Sequence, residues 1–166
     1  MILALAFVFF QCGGSSNSTA SQQETTPAAE ASSESSSESS PADEVTLVLN
    51  TGDLLEYDKT ELRVKAGQQV TLTLNHSGQM AKEAMGHNFV LLKPGTDIPT
   101  FANEALDARE NEYIPAGSEQ VIVHTKLIGG GESDTITFEA PSPGTYDYIC
   151  SFPGHYALMQ GKLIVE

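Results

Sequence analysis

The chain reads as an all-β protein, a β-sandwich carrying one short helical insertion. Three observations predict it. From residue 45 onward, eight short β-rich runs follow one another, separated by Gly, Pro, Asn and Ser. Residues 70–74, Val-Thr-Leu-Thr-Leu, alternate apolar and polar, the pattern of a strand with one buried face. Only one stretch is convincingly helical, so the spacing fits a sandwich or barrel and not βαβ units.

Taken in order, the expected strands are 45–49, 62–66, 70–74, 87–92, 120–124, 135–138, 144–150 and 161–165. An insertion over 94–115 interrupts the rhythm. Within it, residues 100–108 combine good helix formers with apolar side chains at 101, 105 and 108, which predicts a helix. No internal repeat is present. A domain over 45–166 is large enough to fold alone.

The segment before the domain is of another kind. Residues 1–10 are apolar without a break. A bilayer-spanning helix needs about 20 such residues, so this run suits the apolar centre of a secretory signal. Gln11, Cys12, Gly13 and Gly14 follow. A cysteine directly behind an apolar run resembles a bacterial lipoprotein signal, which implies cleavage before Cys12 and its lipidation. Residues 13–44 hold eleven serines and six acids, with no aromatic or basic residue. Such a segment cannot bury enough apolar surface to offset its ordering entropy, so it is expected to be a disordered linker. As a flexible coil it would span about 30 Å on average. The expected organisation is a signal over 1–12, a linker over 13–44 and a folded domain over 45–166.

Charge narrows the function. The chain has 22 acidic and 8 basic residues among 166, a net charge of −14. That balance excludes nucleic acid, whose phosphates are bound through Lys and Arg. It equally disfavours docking on an anionic membrane, leaving a lipid anchor as the expected membrane contact.

One constellation carries chemistry. The run from Cys150 to Met159, Cys-Ser-Phe-Pro-Gly-His-Tyr-Ala-Leu-Met, places a thiolate, the His155 imidazole and a thioether at a strand end and its following loop. Pro153 and Gly154 can turn that loop tightly. Upstream, Met85-Gly86-His87-Asn88 supplies a second imidazole. Two histidines and a cysteine with a weak axial methionine form the ligand set of a blue-copper electron-transfer site. Singly, each residue reads as core filler or a satisfied polar group; together, at this spacing, they read as one copper centre.

Over about residues 43–166 the domain resembles the azurins, bacterial cupredoxins. Asn75-His76-Ser77-Gly78 is similar to the family's Ser-His-Pro-Gly. Residues 85–90 resemble its Met-Gly-His-Asn-Trp-Val. His124-Thr-Lys-Leu-Ile-Gly129, with Gly131-Glu132, matches closely, and 150–159 nearly repeat its Cys-Thr-Phe-Pro-Gly-His-Ser-Ala-Leu-Met. The resemblance implies an eight-stranded Greek-key sandwich with a helical flap over 94–115. It implies one type 1 copper held by His87, Cys150 and His155, with Met159 a distant axial ligand and the Gly86 carbonyl a distant contact opposite. It implies that the backbone N–H groups of Asn88 and Phe152 donate to the Cys150 sulfur, and that the Asn88 side chain ties the ligand loops together. Electrons are expected to leave through His155, within an apolar docking patch of Met80, Ala84, Met85, Phe152, Ala157 and Leu158. The implied partners are redox proteins such as c-type cytochromes or copper oxidoreductases, met in the periplasm or cell envelope. His76 matches a family histidine near the site, and His124 a surface histidine that binds no metal.

Departures are equally specific. The family's disulfide near the domain's N-terminus is missing, Glu44 and Gly67 standing at the matching positions. Loss of such a bridge typically costs about 2–5 kcal/mol. Phe89 stands where the family has tryptophan, and 139–144 form a shorter connection. The expected function is an electron carrier, not an enzyme. A copper chaperone would use exposed Met-rich or Cys-x-x-Cys sites; a copper nitrite reductase would need a second copper, with only His76 and His124 to spare; a zinc site has poor use for an axial thioether.

Overall fold

The computed structural model describes residues 43–166; the expected signal and all but the last two residues of the expected linker lie outside them. Eight strands form two sheets: β1 (Glu44–Thr51), β2 (Glu61–Val64), β3 (Gln69–His76), β4 (Val90–Leu92), β5 (Val121–His124), β6 (Ser133–Glu139), β7 (Gly144–Ile149) and β8 (Gln160–Val165). One sheet has the order β1-β3-β6 and the other β2-β8-β7-β4-β5. Two pairings, β1 with β3 and β2 with β8, are parallel, and the others are antiparallel.

Alternation places the core. In β3, Val70, Leu72, Leu74 and His76 are buried while the residues between them are not. Their face meets Leu62, Val64, Leu163, Val165, Tyr146 and Tyr148 of the opposite sheet. Glu44 already belongs to β1, opposite Gln69 in the parallel ladder. At the other position of the missing disulfide, Gly67 takes a turn with φ of 76° and donates its N–H to Ala140 O.

β4 is buried on both faces, which explains its unbroken Val-Leu-Leu. Val90, Leu92 and Ile149 point outward and are covered by Phe101 and Ile114 of the insertion. The helix there, α2 (Ile98–Leu106), begins two residues before the expected start. Asp97 caps it, its Oδ1 accepting from Thr100 N at 2.9 Å. It also stops earlier, and the chain tightens into a 3-10 turn at Arg109–Asn111. A further single turn, α1 (Lys82–Met85), carries no apolar periodicity and was not foreseen.

The expected strand over 87–92 forms ladder only from Val90. His87 pairs instead with the 125–131 loop, exchanging bonds with Ile128 at 2.9 and 2.8 Å. Phe89 N donates to Thr125 Oγ1. These bonds peel the chain off the sheet where the first imidazole sits.

Candidate metal centre

Two loops at one end of the sandwich build the site. His87 lies between α1 and β4, Cys150 directly follows β7, and His155 lies on the loop leading to β8. That loop closes on itself: Cys150 N donates to Met159 O, and Met159 N and Leu158 N both donate to His155 O. Gly154, at φ of 80°, makes the turn that swings His155 back toward Cys150, a conformation side-chain-bearing residues avoid.

The donor atoms converge. Cys150 Sγ lies 3.6 Å from His155 Nδ1 and 3.9 Å from His87 Nδ1, and the two nitrogens are 3.3 Å apart. All three residues are buried. A trigonal metal with bonds of about 2.0 Å to nitrogen and about 2.3 Å to sulfur separates its ligands by about 3.5 and about 3.7 Å. The observed triangle therefore fits one ion of that size.

Protonation fits a cation as well. His87 Nε2 donates to Gly52 O at 2.9 Å, so Nδ1 presents a lone pair to the centre. Burial holds His87 at a pKa of about 4, the bond to Gly52 opposing it. Burial, then His87, holds His155 at about 4. Burial pushes the Cys150 thiol up to about 12, against the pull of N–H groups from Asn88 and Phe152. At neutral pH both imidazoles are therefore uncharged, and the only proton a metal must displace is the one on sulfur.

Around the triangle, Asn88 joins two loops. Its Oδ1 accepts from Ser151 N and its Nδ2 donates to Ser151 Oγ, each at 2.9 Å, and Nδ2 also reaches Glu112 O at 3.3 Å. Met159 is wholly buried in the main core. Gly86 O lies 3.9 Å from the sulfur. His76 is buried too: its ring lies 4.8 Å from that of His87, Nδ1 accepts from Gly78 N, and Nε2 donates to Met85 O. His124 is exposed at the end of β5.

The expected docking patch divides. Met80 and Leu158 are exposed, at 40% and 68%, as are Ala84 and Ala157, while Met85 is half-buried. Phe152 does not join the surface. It packs inward between Tyr113, at 5.2 Å, and His155, at 4.5 Å, because the loop's closure turns its ring toward the core. Gly52, Tyr57, Ser151 and Glu112 also support the site and were not foreseen; most act through backbone contacts, which carry no sequence signature.

Residues 43–166 match the plastocyanin/azurin family of copper binding proteins. The chain belongs to that family. The azurin of Achromobacter denitrificans is 44% identical over 127 residues, covering 74% of this chain and 85% of that protein. The structure of auracyanin A, a "blue" copper protein from Chloroflexus aurantiacus, is 41% identical with a TM-score of 0.67, covering 74% of this chain and 99% of that one. Outer membrane protein H.8 of Neisseria gonorrhoeae is 35% identical over 125 residues, 74% of this chain and 68% of that protein. The fold is thus a cupredoxin β-sandwich, and His87, Cys150 and His155 fit one type 1 copper. The protein is an electron carrier and not an enzyme: its copper exchanges one electron with redox partners, passing between Cu(II) and Cu(I). Azurins are exported or periplasmic.

Proposed function

We propose that this electron carrier holds its copper through His87 Nδ1, Cys150 Sγ and His155 Nδ1, with the Met159 sulfur as a distant axial ligand and the Gly86 carbonyl on the opposite side. The observation that carries the reading is the buried triangle of donors with separations of 3.3, 3.6 and 3.9 Å. Its ligands come from buried, hydrogen-bonded loops, so they are held in place before metal arrives. A centre that rearranges little between oxidation states transfers electrons fast.

His155 is the exit. It follows Gly154 and precedes Ala157 and Leu158, both exposed. With Met80, Ala84 and Met85 these residues make an uncharged docking patch on an acidic protein. Redox encounters bury little area, so such a patch suits brief contact with c-type cytochromes or copper oxidoreductases. Asn88 and Phe152 donate their N–H groups to the sulfur and tune the copper.

The working place is the cell envelope, with the domain tethered by residues 13–44 to a lipidated Cys12. The similarity to an outer membrane protein supports this location. Mass spectrometry of the exported protein tests it: a diacylated N-terminal Cys12 is expected, and an unmodified N-terminus elsewhere would refute it.

Addition of Cu(II) to the copper-free protein tests the centre. An intense thiolate-to-copper charge-transfer band is expected, and Cys150→Ala abolishes it. A pale d–d band in the unaltered protein would remove Cys150 from the ligand set.

A further inference from the structure

Between β1 and β2 the connecting loop reaches the site at three points, contacts not foreseen from the sequence. Gly52 O takes the His87 ring N–H, and the Asp53 carboxylate accepts from Gln79 N and Met80 N. At the loop's end, Tyr57 pairs with Thr51 and turns its ring into the core. Its hydroxyl donates to Asn88 O at 2.5 Å.

Asn88 is the residue whose backbone N–H faces the Cys150 sulfur. The peptides on either side of its Cα are each held at both ends. In the first, His87 O accepts from Ile128 N at 2.8 Å, which turns the Asn88 N–H the opposite way, toward sulfur. In the second, Phe89 N donates to Thr125 Oγ1 at 2.9 Å, and Asn88 O accepts from Tyr57. Of these four restraints the bond from Tyr57 is the one supplied by the β1–β2 loop. Burial, and then the neighbouring Cys150, raises the Tyr57 hydroxyl well above its ordinary range, so it stays a donor. The ring itself is fixed edge-on to Tyr148 at 5.6 Å.

We propose that Tyr57 is a positioning residue for the copper–thiolate bond: its hydroxyl fixes the Asn88–Phe89 peptide, and so the Asn88 Cα from which the preceding peptide aims its N–H at the Cys150 sulfur. Hydrogen bonding around a copper-bound cysteine sulfur tunes the reduction potential. An N–H on sulfur withdraws electron density that would otherwise favour Cu(II), so it raises the potential. The inference rests on Cys150 being a copper ligand.

Tyr57→Phe keeps the ring against Tyr148 and removes only the donor. Tyr148→Phe is the control: it removes a second hydroxyl of the same aromatic cluster, whose bond goes to Lys59 O, away from the sulfur. Reduction potentials of the copper-loaded proteins are measured by voltammetry, with the charge-transfer band and the thermal unfolding of the copper-free proteins recorded alongside. Tyr57→Phe is expected to keep the band and shift the Cu(I)/Cu(II) distribution toward Cu(II) two- to tenfold, about 20–60 mV downward at 59 mV per decade. Tyr148→Phe is expected to shift it less than twofold. If Tyr57→Phe leaves the potential unmoved, or both variants move it equally, Tyr57 has only a structural role. If the unaltered protein shows no charge-transfer band, the copper–Cys150 reading falls and the inference with it.

Discussion

His87 Nδ1 and His155 Nδ1 face each other at 3.3 Å, although 68 residues separate them in the chain. The His87 ring proton is committed to Gly52 O on the other nitrogen. A lone pair therefore points into a pocket that already holds a second imidazole and a thiol. Without a cation that arrangement is electrostatically poor, and with one it is complete.

Copper loading should release about one proton per chain at pH 5.5. Only Cys150, held near 12, carries a proton that the metal must displace there, since both imidazoles, held at about 4, are neutral. Histidines at the ordinary value of about 6.5 would raise the release to about 2.8 protons. Calorimetric titration of Cu(II) in buffers of different ionisation enthalpy counts the protons, and a value near three would contradict the burial argument.

The copper-free protein should lose stability as the medium is acidified from about pH 6.5 to about pH 4. His87 and His155 are lowered to about 4 in the fold. Between that value and the unfolded value of about 6.5 the unfolded chain binds more protons, so stability rises with pH across the window. The contribution is whole above the window and gone below it. Urea midpoints measured across it should rise with pH, and their slope should shrink in His87→Ala/His155→Ala. An unchanged slope in that variant would reject the assignment.

Gly161→Ala should destabilise the fold by about 1–3 kcal/mol through overpacking. A Cβ there runs into the Tyr148 ring and hydroxyl and lies 2.7 Å from Thr60 O. The backbone carbonyl cannot step aside. Chemical denaturation measures the loss, and a change within about 0.5 kcal/mol would show that Tyr148 relaxes freely.

Leu158→Asp should slow electron exchange with partners about tenfold, equivalent to about 1.4 kcal/mol of docking energy. Leu158 is 68% exposed, so stability should change by less than about 0.5 kcal/mol. Stopped-flow electron transfer with a c-type cytochrome separates the effects. An unchanged rate would move the docking site away from this patch.

Much of the architecture was legible because strand patterning is local. The alternation at 70–74 became the buried face of β3, and each of the eight expected runs carries a strand. The helix in the insertion was legible in type and displaced by two residues, because Asp97 and Pro99 set its start while the packing of Phe101 and Ala105 sets its buried face. At the site, the Cys150–Met159 run showed itself as one unit because its spacing is short. Inward packing of Phe152 was not legible, since an aromatic side chain beside a turn can face either way.

By itself, the sequence determined the donor types, the turn that brings His155 near Cys150, and which face of each strand is apolar. Those properties depend on neighbours within a few residues. Only the tertiary structure decided that His87 completes the triangle, that Gly52 sets its tautomer, and that Tyr57 grips Asn88 from 31 residues away. The physical reason is that periodicity reports how deeply a residue is buried, not what lies opposite it. Every residue offers a backbone carbonyl, so no side-chain pattern marks which carbonyl will orient a ligand. Packing two sheets face to face makes that choice.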